Sequence, residues 1–332
     1  MSRKKRNIFT FIVILLVLAL VYTYYVYNHP VDLGKRVVSI IIKPGDTFTS
    51  VVDDLISEGV VTSRIMLIYP ARILGIDKKL TPGRYDFTGR NSCRSVLDKL
   101  GSGNLIKIKV TIPEGAPIWK VASIIADKLD LDSASFVSIN TDSTFLQALG
   151  LPCLEGYLYP ETYVFTWGIS ETDVISEMVD LFHSKTDSIW PDTIENNLSR
   201  HEIVILASII EAETKLDHER RIVASVYHNR LRKDMKLDAD PTVIYGLGGL
   251  NRPLYRRDLK KNTPFNTYRR KGLPPTPINS PGLAAITAAL YPQETEYLYF
   301  VADETGGHNF SRTNAEHNQA KRRINAAKNI RK

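Results

Sequence analysis

At 332 residues the chain is long enough for two domains of roughly 150 residues each. Its 43% hydrophobic and 24% charged residues exclude wholesale disorder, collagen-like repeats and a multi-span membrane protein. The net charge of +7 is concentrated at the ends: Arg3, Lys4, Lys5 and Arg6 supply four positive charges and the stretch from Lys321 to Lys332 six, leaving 33 basic against 36 acidic residues between them. A body near −3 lacks the phosphate-tracking face that nucleic-acid binding needs. Cys93 and Cys153 form no CxxC pair, so neither a zinc ribbon nor a disulfide framework can be built, and each reads as a small apolar residue.

From Asn7 to Val31 no residue is charged, and Ile8 to Val26 reads IFTFIVILLVLALVYTYYV. A helix of this length covers roughly 28 Å, enough to cross a hydrocarbon core of about 30 Å. The preceding RKKR block predicts a cytoplasmic N-terminus, and Tyr22, Tyr24, Tyr25 and Tyr27 gather where an aromatic belt would lie. No small-x-small cleavage site follows, so the segment reads as an uncleaved anchor with the rest of the chain exported. The expected order is a cytoplasmic segment over 1–7, a transmembrane anchor over 8–27, a first module over 36–105 and a second domain over 106–332.

Two segments share a pattern: Ile42-Lys43-Pro44-Gly45 leads to Val51, Val52 and Leu55, and Ile112-Pro113-Glu114-Gly115 leads to Val121, Ala122 and Ile125. Each predicts strand, turn, helix, because β-branched residues precede the turn and helical apolar spacing follows it. Thr81 to Tyr85 marks a further turn into a strand and Ser92 to Leu100 a short helix. The cluster from Glu155 to Tyr163, EGYLYPETY, predicts tyrosines closing a core, and an amphipathic helix is expected around Asp173 to Ser184. His201 to Ala212 is apolar on nearly every face and predicts a buried helix, followed by a second helix from about His218 to Lys233.

Glu211 closes the buried helix on the stripe of Val204 and Ala207, where desolvation would hold a carboxyl protonated as a general acid requires. Glu213 lies about 200° around the same helix, behind Leu206 and Ile209. Periodicity does not choose between them, and Lys215, Arg220 and Arg221 are candidate ion-pair partners for either. Two carboxylates so disposed cannot face each other across a bond as glycosidase pairs do, so a second acid must come from elsewhere. Asp240 is available, although Asp240-Pro241 predicts a helix cap. Asn262 to Ser280 reads as a long Pro-rich loop of the functional kind, with Asn266 and Tyr268 as its hydrogen-bonding groups. No phosphate-binding loop, dinucleotide fingerprint, HExxH or serine nucleophile elbow occurs, and His308 and His317 have no metal-site spacing, so no cofactor or metal is expected.

Taken together, LASIIEAET (206–214), VYHNRL (226–231), DPTVIYG (240–246), FNTYRRKGLPPTPINSPG (265–282) and YLYFVADETGGHNFSRTNAEHN (297–318) resemble, in order and spacing, the YceG-like endolytic murein transglycosylases. The resemblance implies an α+β fold with a single transmembrane helix, a LysM-like module near Lys43-Pro44-Gly45-Asp46, and a mixed α/β catalytic domain. It implies a lyase of the inner membrane whose catalytic domain faces the periplasm, cleaving peptidoglycan strands internally to leave 1,6-anhydro-N-acetylmuramic ends, beside penicillin-binding-protein synthases. By resemblance Glu211, the first glutamate of its block, is the catalytic residue, with Glu213, Asp240, Asn266 and Tyr268 as substrate-binding candidates. Asp238, Phe265 and Thr276 depart from the usual Gln, Tyr and Gly. A water-using muramidase with Asp240 as base and an inactive anchored peptidoglycan binder are the alternatives.

Overall fold

The computed structural model describes residues 3–43, 45–103, 106–304 and 306–330. Pro44 of the first turn, Leu105 at the expected module boundary, and Arg331 and Lys332 lie outside the described residues. The described chain is a mixture of α-helices and short antiparallel strand pairs, an α+β architecture, in two compact units.

The first unit comprises residues 1–108 and 164–169. It begins with helix α1 (Arg3–Asn28), whose segment Phe9–Asn28 has a mean hydropathy of 2.4, is long enough to cross a membrane, and buries none of its surface in the protein. Tyr27, at its end, packs against the unit's core. Strand β1 (Val31–Asp32) is followed by β2 (Val38–Ile42), which alternates buried and exposed residues with Val38, Ile40 and Ile42 inward, as the period-two pattern dictates. Helix α2 (Phe48–Ser57) follows the Lys43 to Asp46 turn. It starts at Thr47, whose hydroxyl accepts from Ser50 N, and it buries Phe48, Val51, Val52 and Leu55. Next come α3 (Ile65–Leu74), β3 (Gly83–Phe87), β4 (Arg90–Asn91) and α4 (Cys93–Gly101), the last opened by a Ser92–Ser95 capping box. β2 and β3 pair antiparallel with Ile40 opposite Tyr85, and β1 pairs with β4. Cys93 is buried and free.

The division between the units falls inside β5 (Lys107–Thr111). The second unit comprises residues 109–163 and 170–332. It contains α5 (Ile118–Leu129), α6 (Ser133–Ser138), α7 (Ser143–Ala148), the start of β6 (Thr162–Thr166) and α8 (Glu171–Thr186). Both repeats of the Pro-Gly pattern therefore form strand, turn and helix, but the second turn belongs to the second unit, where Gly115 N donates to Ser280 O and Ser280 N to Ala116 O. Tyr157, Tyr159 and Tyr163 are buried and close this core, as does the free Cys153.

Helix α9 (Arg200–Glu213) is the axis of the second unit. A Ser199–Glu202 capping box starts it, and every residue from Ile203 to Glu211 is buried. Around it lie α10 (Asp217–Arg232), α11 (Asp240–Gly246) and α12 (Leu283–Leu290). The β7 (Tyr299–Ala302) and β8 (His308–Ser311) hairpin and α13 (Asn314–Ile330) complete the unit. The 262–280 stretch is irregular, and it is stapled to α9 through Ser208, whose hydroxyl accepts from Ile278 N (3.0 Å) and whose carbonyl accepts from the Asn279 amide (2.8 Å).

Candidate active site

The end of α9 carries two carboxyl groups into different surroundings. Glu211 is 7% exposed. Arg220 Nη2 lies 3.4 Å from its Oε1, and Gly282 N donates to its Oε2 at 3.1 Å. A Cβ at position 282 would meet the carboxyl of Glu114, the end of an exposed and flexible side chain. Burial raises the Glu211 pKa with Glu114 adding to it, while the Gly282 and Arg220 contacts oppose the rise. Arg220 also pairs with Asp217 one turn back on α10.

Glu213 is half-buried and opens on a cavity of about 350 Å³. Tyr227, a fully buried residue of α10, donates its hydroxyl to Glu213 Oε1 at 2.9 Å, which leaves Oε2 as the oxygen able to carry a transferable proton. Burial pushes the Glu213 carboxyl up to about 7, with Asp240 adding to the rise and Tyr227, His308 and Arg230 limiting it. Asp238, Asp240 and Tyr268 line the same cavity. Tyr268 donates to Asp240 Oδ1 at 2.6 Å.

Burial raises both carboxyls, so the stripe argument does not separate them; the structure puts Glu213 on the cavity lining and Glu211 against Arg220 and Gly282. Asp240 also differs from the cap expected of it. Ala239 is the N-cap, no side chain caps α11, and the Asp240 carboxylate is held by Tyr268 instead. Asn266 is fully buried and away from the cavity. Its amide donates to the carbonyls of Leu259 (3.0 Å) and Lys261 (2.6 Å), and its Oδ1 accepts from Tyr268 N (3.0 Å), so it fixes Tyr268 rather than presenting a group to a ligand.

Several residues that the sequence reading gave no role shape the site. Arg230 spends its guanidinium on the carbonyls of Leu298 (2.7 Å) and Leu237 (2.8 Å), clamping the 236–238 loop that presents Asp238 at a positive φ of 47°. Thr267 and Thr242 join hydroxyls at 2.8 Å and bind the long loop to the start of α11. His308 is pinned by Glu219 through both its backbone N (2.9 Å) and its Nδ1 (2.6 Å), and its ring meets Phe300 of the cavity wall edge-on. Glu155 is 1% exposed, and it accepts from Ile118 N at the start of α5 and from the Tyr245 hydroxyl (2.8 Å); burial pushes it up to about 7. A lone glutamate inside the apolar run CLEGYLY was the signal that could have found it.

A family model described as the YceG-like family matches residues 40–323. The chain belongs to the YceG-like family. It is 31% identical over 314 residues to the endolytic murein transglycosylase of Bacillus subtilis (strain 168), covering 89% of this chain and 87% of that protein. It is 28% identical over 325 residues to the endolytic murein transglycosylase of Streptococcus pneumoniae (strain ATCC BAA-255 / R6), covering 86% of this chain but 58% of that longer protein. Among YceG-like structures, a crystal structure of a yceG-like protein from Listeria monocytogenes aligns with a TM-score of 0.59 at 30% identity, covering 86% of this chain and 100% of that one.

Proposed function

We propose that this YceG-like chain is a membrane-anchored lytic transglycosylase that cuts inside peptidoglycan glycan strands, with Glu213 as its proton-transfer group. The observation that carries this reading is the raised carboxyl of Glu213 opening on the cavity with one oxygen held by Tyr227. Protonated, Glu213 gives its proton to the glycosidic oxygen as the muramyl C1–O bond breaks; ionised, it takes the proton of the muramic C6 hydroxyl, whose oxygen closes on C1. One carboxyl group serves both steps, and no water is consumed. Asp240, held by Tyr268, keeps the ionised Glu213 basic and opposes the positive charge that develops at C1.

A second reading is favoured by one specific observation, that Asp238 and Asp240 line the same cavity as Glu213. Either could serve as the base that activates a water, which would make the enzyme a muramidase. The masses of muropeptides released from isolated sacculi separate the two. Anhydro ends are expected, and products heavier by one water with reducing ends would establish hydrolysis instead. No release of any fragment by the full chain would leave only the anchored binder.

In this reading α1 is the membrane anchor, the basic N-terminus is cytoplasmic and the catalytic unit lies outside the membrane; the apolar segment and the RKKR block before it support that orientation. Internal cuts made there would end strand growth close to the synthases, the penicillin-binding proteins being the expected partner class. The first unit is proposed as the LysM-like glycan-holding module, from about residue 36 to 105. Protease applied outside cells whose outer layer has been permeabilised should digest the chain beyond about Pro30. Protection of its C-terminal region would overturn the topology.

A further inference from the structure

The cavity has a second wall that the proton chemistry does not use. Asn314, His317, Asn318 and Lys321, spaced as one face of α13, all line it. His317 is 9% exposed and stacks on Tyr299 with ring centroids 5.3 Å apart, and its Nδ1 is buried without a hydrogen-bond partner among the described residues. Burial, Lys321 and Arg230 all lower its pKa, so the ring is neutral. Lys321 is exposed and has no acidic ion-pair partner among the described residues. Arg230, in contrast, is committed to backbone carbonyls and to Asp238 at 3.6 Å. Asn318 donates to Asn314 Oδ1 at 3.2 Å, which leaves the Asn314 amide N–H groups to be offered outward.

An uncompensated ammonium beside amide donors and a neutral imidazole, in a cavity whose other wall carries Glu213, Asp238 and Asp240, is polarised along its length. We propose that the α13 wall is a carboxylate subsite that takes the acid group of a muramyl residue and so sets which bond of the strand reaches Glu213. This rests on the strand-cleaving reading above. The acidic wall repels a carboxylate and the α13 wall attracts one, so the substrate has one favoured direction in the cavity. Muramyl units can supply that carboxylate in two ways. In a peptide-bearing strand the lactyl carboxyl is tied up as an amide and the acid lies on the peptide, whereas in a peptide-stripped strand the lactyl carboxylate itself is free.

The test is the affinity of the full chain, in detergent and in a Glu213→Gln background that blocks turnover, for fluorescently labelled strands of each kind. Lys321→Met should weaken binding about tenfold and flatten its salt dependence, as loss of one charge-assisted contact does. Lys321→Arg should retain binding. Weakening only with peptide-bearing strands assigns the peptide acid, and weakening only with stripped strands assigns the lactyl group. Unchanged affinity of Lys321→Met for both, or equal loss in Lys321→Arg, would overturn the subsite. Because binding is read without cleavage, strands that bind through Lys321 but are left intact by the unmodified protein would sink the proposed activity and leave the subsite standing.

Discussion

Glu213→Gln should lower strand cleavage by about 10² to 10⁴, the usual worth of general acid–base catalysis, with the protein still folded. Glutamine keeps the acceptor that Tyr227 bonds at 2.9 Å and fills the same volume, but it has no proton to transfer. Glu211→Gln removes a carboxylate that touches Arg220 and Gly282 rather than the cavity, so its effect should appear first in stability. A Glu213→Gln variant with near-normal turnover, or a folded Glu211→Gln variant that alone is inactive, would return the assignment to Glu211.

The pH profile gives the same test a second arm. A group acting first as an acid is competent while protonated, so kcat/KM should fall as pH rises through about 7, the pKa to which burial pushes Glu213. Stability shares that window. Glu213 and Glu155 both titrate near 7 in the folded chain, against about 4.5 when unfolded. Between these values the folded state binds more protons, so stability declines as pH rises from about 4.5 to 7. Glu155 does not line the cavity and keeps its share of this slope in Glu213→Gln. A profile that follows thermal midpoint rather than the Glu213 proton would therefore persist in the residual activity of the variant.

The sequence made the elements legible because each carries a local signal. The alternation of Val38, Ile40 and Ile42, the Ser92 and Ser199 caps and the all-apolar run of α9 each depend on neighbours a few residues away. The site depends on partners far along the chain. Tyr227 reaches Glu213 across 14 positions, Tyr268 reaches Asp240 across 28 and His308 reaches Glu219 across 89. Helical periodicity placed both glutamates on a buried helix, yet what distinguishes them is which one faces Tyr227 and the cavity and which one faces Arg220, the 112–115 turn and Gly282. Asn266 misled for a related reason. A polar residue in a long loop reads as a ligand contact until the loop's own carbonyls are seen to consume it.

Arg220→Met should cost about 3 to 5 kcal/mol of stability, the penalty for leaving one member of a buried ion pair without its partner. Glu211 is 7% exposed, and among the described residues Arg220 and Gly282 N compensate its charge while Glu114 disfavours it. Removing the guanidinium forces Glu211 to bind a proton, which costs little at low pH and more as pH rises. The loss should therefore be smallest near pH 5 and should grow toward pH 8. Adding Glu211→Gln to Arg220→Met should recover much of it, since a neutral amide can still accept from Gly282 N without a buried charge. Denaturant melts of the two single variants and the double variant at both pH values measure this coupling. Simple additivity at pH 8 would show that Glu211 and Arg220 do not act as a pair, and would reopen Glu211 to the chemistry assigned to Glu213.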